Sequence, residues 1–319
     1  MNDQENEKRV LVISGGGARG AWGGGLIKAL YEKEKPDYRC IVGNSTGSLL
    51  APLAAINEYG RMEKGFTDVN QEAIFNVNPF KEDGEIKPFG ALWRIISGKE
   101  NIGESENLRK RISSFFTEAD YKQLKDSGKT VKVAVVSLTS NAVEYKSTDE
   151  YSYTDMVDWI WASANTPLFM STLEKEENIW VDGGIKENVP IVEGLKYAQA
   201  NGIRNIDVVV NYPEGERMVC WPEKGGKTNI IPKLLRIIDV FCDEVRISDI
   251  LSGVLQAKVE DMRIKVYYMN KEEYSTCPKN LLFKKPILEN LWQCGYHHPF
   301  DTLAVDTISL PENNMVFLR

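Results

Sequence analysis

The chain has 319 residues, 42% hydrophobic and 27% charged, enough to bury a sizeable core in one large domain or two small ones. A formal net charge of −7 and a pI near 5.2 exclude the basic footprint of a default nucleic-acid binder. They also give no electrostatic reason to settle on an anionic membrane. The polar opening MNDQENEKR lacks the apolar run of a signal peptide, and no stretch reaches the roughly 18 apolar residues of a membrane span. Five scattered cysteines (Cys40, Cys220, Cys242, Cys277, Cys294), without a C-x-x-C, fit a reduced, cytoplasmic setting and point to no metal site.

Arg9 to Ser14 (RVLVIS) is rich in Val and Ile, which predicts a buried strand. Glycines follow. A helix is then expected over Ala21 to Lys33, with Leu26, Ile27 and Leu30 on one face and Pro36 and Asp37 as breakers. Arg39 to Val42 reads as a second buried strand. Thr46 to Tyr59 reads as a second apolar helix, which Gly60 can end. This alternation opens a parallel α/β sheet. Gly65 to Gly103 mixes Gly, Pro, Asn and charges with single aromatics. It reads either as a lid or binding loop or as a pair of small helices.

Further along, Ser105 to Phe116 and Asp120 to Asp126 look helical. Val131 to Thr139 is a strand with Ala142 to Lys146 as a pairing candidate, and Thr154 to Ala164 is a helix. Ile179 to Val181 is a very short strand, a helix follows Pro190 to about Asn201, and Ile206 to Asn211 is another buried strand. Glu214 to Thr228 reads as a loop. Asn229 to Glu260 has helical spacing, as one long helix or two joined ones, and Ile264 to Met269 is a late strand. The tail beyond Cys277 looks irregular, with a short helix around Phe300 to Thr307. No linker divides the chain. A single domain over 1–319 is expected, with its core at about 9–211 and a helical extension and tail at about 229–319. No exposed amphipathic anchor stands out.

Gly43-Asn44-Ser45-Thr46-Gly47 matches G-x-S-x-G between a predicted strand and a predicted helix, the context of a nucleophile elbow. A serine on so tight a turn needs small residues two before and two after it. The helix N-terminus beneath it favours the alkoxide that develops. The bland alternative is a βα turn with a capping serine. Gly15-Gly16-Gly17-Ala18-Arg19-Gly20 follows the first strand and can present bare N–H groups to a phosphate or an oxyanion. Arg19 there could bind a substrate phosphate or order the loop internally. The same run also reads as the dinucleotide fingerprint G-x-G-x-x-G. That reading needs an acid at the end of the second strand, whereas Asp37 precedes that strand.

A serine nucleophile needs a base. The two histidines, His297 and His298, lie in a Pro-containing tail (GYHHPF) and read as surface residues; Ser45, Asp182 and His297 fit only the formal order of a triad. Asp182-Gly183-Gly184 follows a short strand and is the better candidate, with a simple Asp-Gly turn as its alternative. A carboxylate can act directly if partial burial raises its pKa.

GGGARG at Gly15, GNSTG at Gly43 and DGG at Asp182, in this order and with Ala162-Ser-Ala-Asn-Thr-Pro-Leu-Phe before the last, resemble the patatin-like phospholipase family over roughly Val10 to Val210. The resemblance implies a three-layer α/β/α sandwich around a mainly parallel central sheet (the FabD/lysophospholipase-like fold). It further implies Ser45 as nucleophile, Asp182 as general base, and an oxyanion hole from loop N–H groups, those of Gly16 and Gly17 foremost. Ser14 stands where plant members have Asp, and Asn44 and Thr46 replace commoner neighbours of the serine, which leaves substrate choice open. The implied activity is hydrolysis of a phospholipid, lysophospholipid or small ester through an acyl-enzyme, with no cofactor. The alternatives are a binding or regulatory protein of the same fold with weak turnover and, further off, a triad esterase or a dinucleotide-dependent enzyme. The expected partner is a lipid or small ester substrate, with transient membrane-surface contact left open. Nucleic acid is not expected, and the sequence does not set the oligomeric state.

Overall fold

The computed structural model describes residues 7–213, 230–276 and 281–300. Val- and Ile-rich runs form its central strands. β1 (Lys8–Ile13) leads into α1 (Gly20–Glu34), and β2 (Asp37–Asn44) into α2 (Thr46–Ala55). There follow α3 (Tyr59–Thr67), α4 (Gln71–Ile74), α5 (Pro88–Ile96), α6 (Glu106–Phe115) and α7 (Glu118–Asp126). β3 (Thr130–Ser137) and β4 (Ala142–Ser147) make an antiparallel pair before α8 (Tyr153–Ser163). Next come β5 (Leu173–Lys175), β6 (Asn178–Asp182), α9 (Ile191–Ala200) and β7 (Asn205–Pro213). The described chain continues with α10 (Ile230–Val259), β8 (Arg263–Met269), α11 (Lys271–Ser275) and α12 (Lys285–Tyr296).

The strands lie in one sheet, ordered β5-β6-β3-β2-β1-β7-β8, with β4 also on β3. The run from β3 through β2, β1 and β7 to β8 is parallel, and β4, β5 and β6 join antiparallel. Alternation along β1 divides the core. Leu11 and Ile13 pack with Trp22 and Leu26 of α1, Leu50 of α2, Trp159 of α8 and Trp292 of α12. Val10 and Val12 pack on the opposite face with Ile191 and Leu195 of α9 and Val254 of α10. The result is the expected three-layer α/β/α sandwich around a mainly parallel sheet.

The register of β3 matters most for the site. Ala134 pairs with Asn44 at the end of β2, and the next residue, Val135, pairs with Asp182 at the end of β6. Two motifs far apart in sequence are thus set against neighbouring residues of one strand.

Several elements differ from the sequence reading. The helix expected over Thr46 to Tyr59 stops at Ala55, because Asn57 takes a left-handed conformation (φ 61) and a new helix begins at Tyr59, with Gly60 inside it. Asn tolerates that region better than most residues. Gly65 to Gly103 contains two short helices, α4 and α5, and β5 was not foreseen. Asn229 to Glu260 is one helix, α10. The tail beyond Cys277 is not irregular throughout: α12 begins with Pro286 in its first turn and packs closely on α1. A Cβ on Gly25 would sit 2.1 Å from the Trp292 carbonyl oxygen, so only glycine allows that approach. The loop expected over Glu214 to Thr228, and all but the first residue of the helix expected near Phe300 to Thr307, lie outside the described residues.

Candidate active site

β2 ends at Asn44, and the chain turns at once into α2. Ser45, at the N-cap, makes the turn with φ 53 and ψ −121, a strained conformation for a non-glycine residue. The flanking glycines make the turn possible. A Cβ on Gly43 would lie 2.4 Å from the Gly47 carbonyl oxygen, and one on Gly47 would lie 2.3 Å from that of Ile13. Gly47→Ala is therefore expected to cost at least about 2 kcal/mol, seen as a lower thermal midpoint. Gly60→Ala, whose Cβ would meet nothing within 4 Å, is the control and should leave the midpoint unchanged or higher. The Ser45 N–H donates to Ser163 Oγ at 3.1 Å, which ties the elbow to α8.

Asp182 closes β6, 5% exposed, and its Oδ1 accepts the Gly184 N–H at 2.7 Å. The Ser45 and Asn44 side chains also lie near enough to this carboxylate to favour its charged form. Burial pushes its pKa up to about 6, while the nearby Ser45 side chain, the Gly184 N–H and the Asn44 side chain pull in the opposite direction. Ser45 therefore lies close to Asp182, as the register of β3 requires, and Gly183 and Gly184 carry the chain away as a turn of 3-10 helix.

The glycine loop lies on the adjacent strand β1, beside the elbow: a Cβ on Gly15 would come within 3.2 Å of Ser45 Cβ. Its N–H groups are not equivalent. Gly15 donates to the Asn188 carbonyl at 3.1 Å, Arg19 to the Gly16 carbonyl at 3.2 Å, and Gly20 back to Gly17 and Ala18. Those of Gly16, Gly17 and Ala18 have no acceptor among the described residues. Gly17 (φ 57) and Ala18 line the cleft beside Ser45. The N–H groups of Gly15, Arg19 and Gly20 are thus engaged within the fold. Arg19 is buried at 1% exposure, its guanidinium 4.3 Å from the Tyr212 ring and 5.0 Å from the Tyr274 ring. It is not among the residues that line the cleft, a placement that suits the loop-ordering alternative better than phosphate binding.

The cleft holds about 920 Å³, its open mouth included. Ser45, Thr46, Gly17 and Ala18 are among its lining residues. The walls are apolar: Leu49 and Leu53 of α2, Phe66 of α3, Ile112 and Phe115 of α6, and Leu288 of α12. Arg111 is the one charged side chain among the lining residues. Gly65 to Gly103 contributes Phe66, Val69 and Ile74 to this wall.

Neither histidine lines the cleft. His297 is exposed, as expected. His298 is not a surface residue: it is 4% exposed, packed edge-on against Trp22, with Nδ1 3.1 Å from Glu273 Oε1. Sequence reasoning missed the residues that brace the site. Asn188 receives the Gly15 N–H, and the Asn165 carbonyl receives that of Asp182 at 3.1 Å. Asp249 of α10 accepts the N–H groups of Asn188 and Val189 at 2.6 and 3.0 Å, and burial pushes its pKa up to about 7. Asn165 lay within the segment already singled out before Asp182. Asp249 gave no signal, because its role depends on where α10 crosses.

Comparison with known proteins first sets the chain in a class of hydrolases. The model described as patatin-like phospholipase matches residues 11–195. That is more than half of its length, and the chain belongs to the patatin-like phospholipase family. It is similar to "Probable lipid hydrolase 463L" of Invertebrate iridescent virus 6, 23% identical over 207 residues that span 63% of this chain and 68% of the relative. Among solved structures it resembles VipD from Legionella pneumophila, with TM-score 0.43 and 15% identity over 72% of this chain and 52% of VipD. It also resembles the type III effector protein ExoU, with TM-score 0.30 and 12% identity over 92% of this chain and 54% of ExoU. The match thus spans about half the length of each of those two chains.

Proposed function

We propose that the protein is a serine lipid acyl hydrolase in which Ser45 is the nucleophile and Asp182 the general base. One observation carries this reading: Ser45 lines an apolar cleft, near a buried carboxylate and beside N–H groups that have no acceptor among the described residues. Asp182 takes the hydroxyl proton as Ser45 Oγ bonds to the ester carbonyl carbon. The oxyanion is held by N–H groups of Gly17 and Ala18, with Gly16 behind them. As the tetrahedral intermediate collapses, the ester C–O bond breaks and Asp182 returns the proton to the leaving alcohol. Water then gives its proton to Asp182 and attacks the acyl-enzyme, which releases the acid and restores the serine.

The apolar walls suit an acyl chain, and a lipid ester is the substrate class proposed. No cofactor enters these steps. The cytoplasmic setting belongs to the same proposal; Cys40, Cys242 and Cys294 are free thiols. The direct test is labelling with a fluorophosphonate, followed by peptide mass spectrometry and an assay on a p-nitrophenyl ester. The label should sit on Ser45 and abolish hydrolysis; an active protein that takes no label at Ser45 would overturn the proposal.

The protonation state of Asp182 adds a second expectation. A base must be ionised, so kcat/KM should rise about tenfold per pH unit below about 6 and level off above it. A profile still climbing steeply between pH 7 and 8 would point to another base.

A further inference from the structure

α5 is held from one side only. Ala91 is its one fully buried residue, and Arg94 reaches inward to the Asn101 carbonyl at 2.6 Å and to Glu104 at 2.7 Å. The other side is bare: Phe89 is 87% exposed, Leu92 54%, Trp93 63% and Ile96 75%. This corrects the expectation that no exposed amphipathic anchor exists. So large a contiguous apolar face on a soluble surface marks an interaction site.

Charge and position say what covers it. Lys87 and Lys99 flank α5 with no acid between them, within a chain of net charge −7, while Arg94 is neutralised by Glu104. Lys87 stands at the N-cap of α5 and Lys99 just past its end, where long aliphatic stems can lie along the apolar face and bring the ammonium groups to phosphates. Two copies packed face to face would oppose cation to cation, which disfavours self-association. Nine residues span only about 13 Å, far short of the roughly 30 Å hydrocarbon core, so the helix would lie in the interface. Trp93 suits that depth. No helix among the described residues is long and apolar enough to cross a membrane.

The segments flanking α5 are tied to a stretch of chain that borders the cleft lining. Just beyond α5, the Ile102 N–H donates to the Leu168 carbonyl at 2.9 Å, and just before it Phe80 stacks on Phe169 at 5.5 Å. Leu168 is itself 48% exposed, and its neighbours Thr166 and Met170 line the cleft. We propose that α5 docks the protein on the surface of a phospholipid bilayer, with Phe89, Trp93 and Ile96 inserted. The value of docking rests on the lipid-hydrolase reading, but docking itself is measured without turnover.

The test is co-sedimentation of the full chain carrying Ser45→Ala with mixed phosphatidylcholine–phosphatidylglycerol vesicles. A companion protein adds Phe89→Ser, Trp93→Ser and Ile96→Ser. Binding should weaken by roughly a hundredfold in the companion. The same three changes with Ser45 intact should keep hydrolysis of a soluble short-chain p-nitrophenyl ester within about twofold, which shows that the fold and site survive. The proposal fails if the Ser45→Ala protein does not bind vesicles, or if the companion binds equally well. It also fails if ultracentrifugation finds a dimer that the three changes dissociate, which would make α5 a contact between copies. Failure to label Ser45 would remove the hydrolase reading and leave the binding result standing.

Discussion

Ser45→Ala is expected to lower hydrolysis of a p-nitrophenyl ester by at least about 10⁴-fold, with fluorophosphonate labelling lost and the fold kept. The loss should be this large because, of the hydroxyls near the cleft, Ser45 is the one set on the strained turn beside Asp182, with Thr166 lying in a different segment. Thr46, the next hydroxyl in the chain, already belongs to α2, and Ser163 Oγ is engaged with the Ser45 N–H. The fold should survive because only a hydroxyl is removed and the backbone turn is built by Gly43 and Gly47. His297→Ala and His298→Ala serve as the contrast. His297 is exposed and His298 is occupied by Glu273 and Trp22, so both variants should keep their turnover. Loss of activity in a folded His297→Ala protein would restore the Ser–Asp–His ordering. A Ser45→Ala protein with more than about a hundredth of the original activity would rule out the nucleophile assignment.

What the sequence revealed about this site followed from steric necessity. G-x-S-x-G is legible because a side chain at Gly43 or Gly47 collides with backbone within 2.4 Å, so the pattern records the turn itself. The strands were legible because β1, β2 and β7 are buried on both faces and read as continuous Val and Ile runs. The family resemblance put Gly16 and Gly17 foremost, but that Ala18 joins them while Gly15 is engaged was not legible. That depends on the Asn188 carbonyl reaching back to Gly15, and on Asp249 fixing the Asn188 turn. Those contacts join residues far apart in sequence and leave no local pattern. α5 hid for a different reason. Phe89, Leu92, Trp93 and Ile96 at helical spacing look the same whether a helix faces the core or the solvent, and only tertiary packing reveals that no partner covers them.

Asp182→Asn separates a carboxylate kept for chemistry from one kept for structure. Activity should fall by about 10³-fold or more, because the carboxamide cannot accept the Ser45 proton. Stability should move the other way. The folded-state pKa of about 6 lies above the reference value of 3.8, chiefly because burial penalises the charged form. The folded protein therefore holds this proton more tightly than the unfolded chain. Its contribution to stability is fully present below pH 3.8 and is lost as pH rises through about 6. At pH 7 the ionised carboxylate costs the fold up to about 3 kcal/mol, which the neutral amide avoids. The Asp182→Asn protein should thus show an equal or higher thermal midpoint at pH 7, and the difference should shrink as the pH is lowered toward 4. A variant that is both inactive and markedly less stable at pH 7 would mean that Asp182 mainly holds the turn through Gly184, and that the base must be sought elsewhere. An inactive and more stable variant would mean that the fold tolerates an unfavourable buried charge at the one place where Ser45 can use it.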